Sequence, residues 1–307
     1  MLSLKDAFYF QAGIGLIGNT SLLFFHIFTL ILDHRLKFSN LITCLLALIH
    51  IILLLIAVFL ASPDLFESLN FGSDFKCKAF FYLNRVMRGL SICTTCLLSM
   101  LQSITICPST SWLVRFKKKS TNLILHGFFF QWFLSLSLSS YLVFSTVASS
   151  NVTQTNVLTV SKYCSLSSIS YIVWSLSVML PIITDVSFVG IMLLSSTYMV
   201  MLLFRHQKHS QYLRTASLSS KDSPEKRATQ TILLLVSFFV VMYWVDLSIS
   251  SSSSLLRAYD PVVLGVQRLV CNVYASVSPL VLLTSNKMII NILQNMQQKW
   301  HRFLTRQ

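Results

Sequence analysis

Seven tracts of about 20 residues or more, the length a helix needs to cross bilayer hydrocarbon, run with few or no charged side chains. They occupy 8–32, 41–60, 79–106, 123–147, 183–204, 230–250 and 262–284. In hydrocarbon every backbone polar group must be satisfied within the protein, which leaves helices and closed barrels as spanning structures. The pattern predicts an all-α integral membrane protein, a single bundle of seven transmembrane helices over residues 1–307. Composition agrees: 11% of residues are charged, against about 25% in ordinary soluble domains. The net charge of +14 would point to nucleic acid in a soluble chain. That reading needs a basic face on a polar body, and there is no polar body here.

The stretch 169–204 is apolar throughout but interrupted by Pro181 and Asp185. Residues 169–180 alone are too short to span, so the expectation is an extracellular approach followed by one helix starting near Asp185. The number of crossings stays odd. Segments 33–40, 107–122, 205–229 and 285–307 hold 16 of the 24 lysines and arginines. The positive-inside rule then puts these segments in the cytoplasm, with the N-terminus extracellular and the C-terminus cytoplasmic. The first span is too long for a removable signal peptide and lacks its charged head and cleavage site. Of the connections, 148–182 is long enough to fold over the bundle mouth, and 205–229 is polar and serine-rich.

On this topology Cys77 and Cys164 are the two of the seven cysteines on the oxidising side, where a disulfide is the expected state. Cys93-x-x-Cys96 resembles a redox or zinc motif. It lies in mid-span without a second ligand pair, so the reading is small packing residues and no metal site. Asn151-Val152-Thr153 is a glycosylation sequon on the outer side.

Several strings resemble one family within the G-protein-coupled receptors. Residues 85–91 (Arg-Val-Met-Arg-Gly-Leu-Ser), 94–99 (Thr-Thr-Cys-Leu-Leu-Ser) and 102–106 (Gln-Ser-Ile-Thr-Ile) are similar to span three of vomeronasal type-1 pheromone receptors. Residues 185–190 with Tyr198-Met199-Val200 resemble span five. The run 227–240 with Tyr243-Trp244-Val245-Asp246 resembles span six and its cytoplasmic approach, and Tyr163-Cys164 fits the outer loop. The resemblance implies a chemosensory receptor in the plasma membrane of vomeronasal sensory neurons. It also implies small pheromone-like ligands, an inhibitory-class heterotrimeric G-protein as partner, and no cofactor. Bitter-taste receptors are the alternative within the superfamily, because Ser278-Pro279-Leu280-Val281-Leu282 is loosely like theirs, but their longer span-three signature is missing.

Arg85 and Arg88 share one helix face with Ile92, Thr95, Cys96, Ser99, Gln102 and Ser103. A charge within a membrane must face the bundle or a wet cavity. The arginines either attract an anionic or acceptor-rich ligand or form internal ion pairs with Asp185 and Asp246, and the two roles can coexist. Arg268 either joins them or snorkels to the interface, and Asp185 either faces the pocket or caps the fifth helix. Asn19, His50 and Ser278 lie at mid-depth, where polar groups hydrogen-bond across helices, and Pro279 is expected to kink span seven. His50 stands where rhodopsin-like receptors carry an acid, which predicts no sodium site; structural glue and a proton-sensitive switch are its two readings. Gln102, Ser103, Lys117, Arg205 and Arg227 are expected to face the G-protein. Ser217, Ser219, Ser220 and Ser223 are candidate phosphate acceptors.

The rival class is a transporter or channel, built on paired broken helices or polar pore rings. Eight glycines and six prolines in the whole chain argue against it. Nothing in the sequence has the form of a catalytic motif, so the chain is not read as an enzyme.

Overall fold

Helix follows each apolar tract, and in five of the seven it runs past both ends. A computed structural model describes residues 4–33, 38–62, 68, 73–106, 111–148, 158–159, 164–166, 171–213, 224–256 and 261–285. Asn151, Tyr163, Cys107 and the four loop serines lie outside the described residues. The helices are α1 (Leu4–Asp33), α2 (Phe38–Ala61), α3 (Ser73–Ile106), α4 (Ser111–Ser139) and the short α5 (Tyr141–Ser145). After three strands follow α6 (Tyr171–Leu213), α7 (Pro224–Leu256) and α8 (Pro261–Ser285). Both α7 and α8 begin on proline, whose missing N–H costs nothing in a first turn.

Two boundaries differ from expectation. The approach to the fifth span is itself helical: α6 is one helix of 43 residues starting fourteen residues before Asp185. Pro181 does not end it, because membrane helices re-satisfy the freed backbone group locally. The fourth span itself, Ile124–Phe144, falls within its tract, but the helix that carries most of it, α4, starts at Ser111, so Lys117 lies in α4 rather than in a loop. The chain then turns at Ser140, whose N–H donates to Ser137 O at 3.2 Å.

Six of the seven long helices among the described residues are long and apolar enough to cross a membrane. The seventh, α3, packs against α2, α4, α6 and α7 and holds the centre of the bundle. A central helix shows little surface to lipid, so it tolerates the arginines and hydroxyls that dilute its apolar character. The outer faces of the other helices are apolar. Phe24 is 73% exposed and Phe133 72%, a liability in water but the natural surface of a chain solvated by lipid.

Strands β1 (Thr146–Ala148), β2 (Leu158–Thr159) and β3 (Cys164–Leu166) form an antiparallel sheet in the order β1-β3-β2. In it Ala148 pairs with Cys164. Cys164 is bonded to Cys77 in the second turn of α3, with Cα atoms 5.7 Å apart, and both are fully buried. The sheet is thereby fastened to one end of the bundle, called the disulfide end below.

Close approach of α1 to α8 depends on Gly15. A Cβ there would lie 2.9 Å from the Ser276 backbone and 2.7 Å from Leu54 Cδ1. Four residues of α1 later, Asn19 Nδ2 donates to Ala275 O and to Gly15 O, each at 2.8 Å. Gly15→Val is expected to force the helices apart and destabilise the bundle by about 1–3 kcal/mol, the usual cost of overpacking. Thermal unfolding of the detergent-solubilised protein checks this; an unchanged midpoint would mean α1 shifts at no cost.

Candidate functional site

The stripe on α3 faces inward. Thr95, Cys96 and Ser99 are fully buried and Ile92 nearly so. Arg88 lies eleven residues beyond Cys77, about 16 Å down the helix axis at 1.5 Å per residue, so the arginines sit deep in the disulfide half of the bundle.

Each arginine meets an aspartate from another helix. Arg85 Nη2 is 3.7 Å from Asp185 Oδ2 of α6, and Arg88 Nη2 donates to Asp246 Oδ2 of α7. The acid side chains are only 12% and 10% exposed, the arginines 32% and 30%. The carboxylates are therefore held inside while the guanidiniums reach the open side. Asp185 is not a helix cap, since it is well inside α6 and occupied by Arg85.

Cys271 of α8 completes the Arg88 pair. Its thiol donates to Asp246 Oδ1 at 2.7 Å and accepts from Arg88 Nη1 at 3.3 Å. From sequence Arg268 either joins this lattice or snorkels to the interface, and nothing singles out Cys271. One helical step decides between them: Cys271 is three residues further along α8 and takes the position facing Asp246. Arg268 is half-buried outside the cleft, and its carbonyl accepts from Asn272 Nδ2 at 2.8 Å.

Arg88, Asp246 and Cys271 line an open cleft between α2, α3, α7 and α8. Phe239, Tyr243 and Tyr274 supply its aromatic wall. Phe239 packs edge-on against Tyr274 with centroids 4.7 Å apart and stacks on Tyr243 at 6.2 Å. Thr95 Oγ1 lies 2.9 Å from the Tyr274 hydroxyl, which orients that ring.

Below the cleft, His50 joins three helices. Its Nε2 is 2.9 Å from Ser91 Oγ of α3 and its Nδ1 is 3.0 Å from Ser278 Oγ of α8. Tyr274 packs edge-on against the imidazole at 5.4 Å. Of the expected mid-depth trio, His50 and Ser278 do bond, whereas Asn19 binds backbone instead. Ser91 was not singled out from sequence, although it lies on α3 three residues beyond Arg88. Pro279, within α8, packs near Gly18 of α1.

The five residues expected at the opposite end are dispersed in kind. Gln102 and Ser103 are half-buried near the end of α3, the serine donating to Met100 O at 2.7 Å, and Arg205 is exposed on α6. Lys117 and Arg227 lie in α4 and α7, but their side chains fall outside the described ones. Among the described residues no group of three or more His, Cys, Asp or Glu side chains is placed to hold a metal ion.

A profile of the vomeronasal organ pheromone receptor family matches residues 2–295. The chain belongs to this family. It is 43% identical over 293 residues to vomeronasal type-1 receptor 90 of Rattus norvegicus, covering 95% of this chain and 94% of the relative. It is 42% identical to vomeronasal type-1 receptor 51 of Mus musculus, covering 95% and 91%. With vomeronasal type-1 receptor 48 of Mus musculus it shares 42% identity over 95% and 96%. Vomeronasal receptors are seven-helix, multi-pass membrane proteins that signal rather than catalyse, and the central α3, which carries the tract 79–106, supplies the seventh crossing.

Proposed function

We propose that this chain is a pheromone receptor of the cell surface, binding a small chemosignal in the Arg88–Asp246–Cys271 cleft and activating an inhibitory-class heterotrimeric G-protein. The observation that carries the reading is the cleft itself: aromatic walls around a small polar cluster, deep in the bundle of a vomeronasal receptor family member. Such concave, mostly apolar sites with few convergent polar groups are where small ligands bind. The disulfide end then faces outward, Asn151 is a glycan acceptor, and the basic segments, with Gln102, Ser103, Lys117, Arg205 and Arg227, face the cytosol and the G-protein. Sensory neurons of the vomeronasal organ are the proposed site of expression.

Ligand binding works as a population shift. A molecule that binds better when α3, α7 and α8 close around it favours that state, and by linkage the same state favours the G-protein at the other end. Cells expressing the chain with an inhibitory-class G-protein should lower cyclic AMP in response to a fraction of a small-molecule chemosignal library, and pertussis toxin should block the response. Met242 lines the cleft and is half-exposed. Met242→Trp fills the cleft and should weaken potency by about tenfold or more, some 1.4 kcal/mol, at unchanged surface labelling. Full potency in that variant, or ligand-independent solute uptake by the wild type, would refute the reading.

A further inference from the structure

The polar cluster of the cleft is balanced. Within it Arg88 is matched by Asp246, and beyond its lining Arg85 is matched by Asp185. Both oxygens of Asp246 are engaged, one by Arg88 and one by the Cys271 thiol. Arg88 commits two of the five N–H groups a guanidinium carries, to Asp246 and Cys271. The cleft therefore offers hydrogen-bond donors without offering net charge. Its remaining walls, including Leu53, Ile92, Val270 and Phe239, are apolar.

We infer that the cleft selects uncharged ligands, an apolar body bearing one hydrogen-bond acceptor such as a carbonyl, ether or hydroxyl oxygen directed at Arg88. This rests on the cleft being the ligand site. An anion has two ways in, and both are unfavourable. It can take Arg88 away from Asp246, which leaves a buried carboxylate with a thiol as its remaining partner, a strongly destabilising arrangement. Or it can sit beside the intact pair and meet the Asp246 charge at close range in a medium that screens it poorly. A cation fares no better, because the carboxylate it needs is already occupied. A neutral acceptor disturbs neither pair and fills an N–H that the pair leaves over. The paired acids thus act as a charge filter, and Asp246 is the residue that sets it.

The test uses matched molecules: a panel of fused-ring and macrocyclic alcohols, each beside the sulfate ester of the same skeleton. Thermal stabilisation of the purified receptor is measured across concentration, which needs no G-protein. On the wild type, the alcohols that bind should do so at concentrations at least about tenfold below their sulfates. Asp246→Asn removes the carboxylate charge and leaves Arg88 uncompensated, so it should narrow or invert that ratio. Sulfates that bind the wild type as well as their alcohols, or a ratio unmoved by Asp246→Asn, overturn the charge filter while leaving the cleft as the ligand site. If Asp246→Asn does not fold, the wild-type ratio decides alone. Failure of the whole panel to stabilise the wild type overturns the cleft as ligand site, and the inference with it.

Discussion

Serine at Cys77 or Cys164 is expected to remove most of the folded protein from the cell surface. The bond closes a loop of sequence separation 87, for which the chain-entropy account gives about 4–5 kcal/mol of stabilisation. Whole domains are commonly stable by only about 5–15 kcal/mol, so a loss of that size is a large share of the total. The location adds to it. Cys164 belongs to β3, the middle strand of the sheet, and Cys77 to the second turn of α3. Without the bond, β3 keeps its ladder to β1 through Ala148 and Cys164, and the sheet rests on α3 through the packing of β1. Surface labelling and melting of both single variants and the double variant check this. The three should be equally impaired, since losing either sulfur loses the same bond; a double variant clearly worse than the singles would show the thiols acting separately.

Arg88→Ala is expected to cost about 3 kcal/mol, the lower end of the range for breaking a buried ion pair, because the guanidinium is 30% exposed while the Asp246 side chain is 10% exposed. The loss is asymmetric. Arg88→Ala strands a buried carboxylate whose other partner is the Cys271 thiol, whereas Asp246→Ala leaves an arginine already reaching into the cleft. The arginine variant should therefore melt lower than the aspartate variant. The double alanine variant should recover part of the loss, since it buries no unpaired charge. A double-mutant cycle on melting free energies measures the coupling directly. Strict additivity of the two substitutions would show that the pair contributes nothing to holding α3 against α7.

Much of the architecture is legible because a bilayer imposes a length and a polarity on each crossing. The tract positions, the Cys77–Cys164 pairing and the inward stripe from Arg85 to Ser99 all follow from one-dimensional rules. What stays hidden depends on how distant helices are rotated about their axes. Arg85 and Arg88 were paired with the right acids as a set, but which acid meets which arginine depends on the relative heights of α6 and α7. The choice between Cys271 and Arg268 is a matter of some 60° of helix phase (three residues at 100° each), and a hydropathy pattern does not carry that. Ser91 looked like any serine until His50 of α2 lay opposite it. The start of α6 was misplaced for a different reason: Pro181 and Asp185 read locally as a break, while in the bundle Asp185 is occupied by Arg85 and need not sit at a helix end.

The length of α6 has mechanical weight. At 1.5 Å per residue its 43 residues reach about 65 Å, roughly twice the hydrocarbon thickness of about 30 Å. Ser195 fastens it to Ser99 of α3, their hydroxyl oxygens 2.6 Å apart. From that crossing an arm of about 27 Å extends to Leu213. A tilt of about 5° about the serine contact swings its tip by about 2 Å, so a small adjustment among the acid–base partners reaches the far side of the bilayer enlarged, as at the end of a lever.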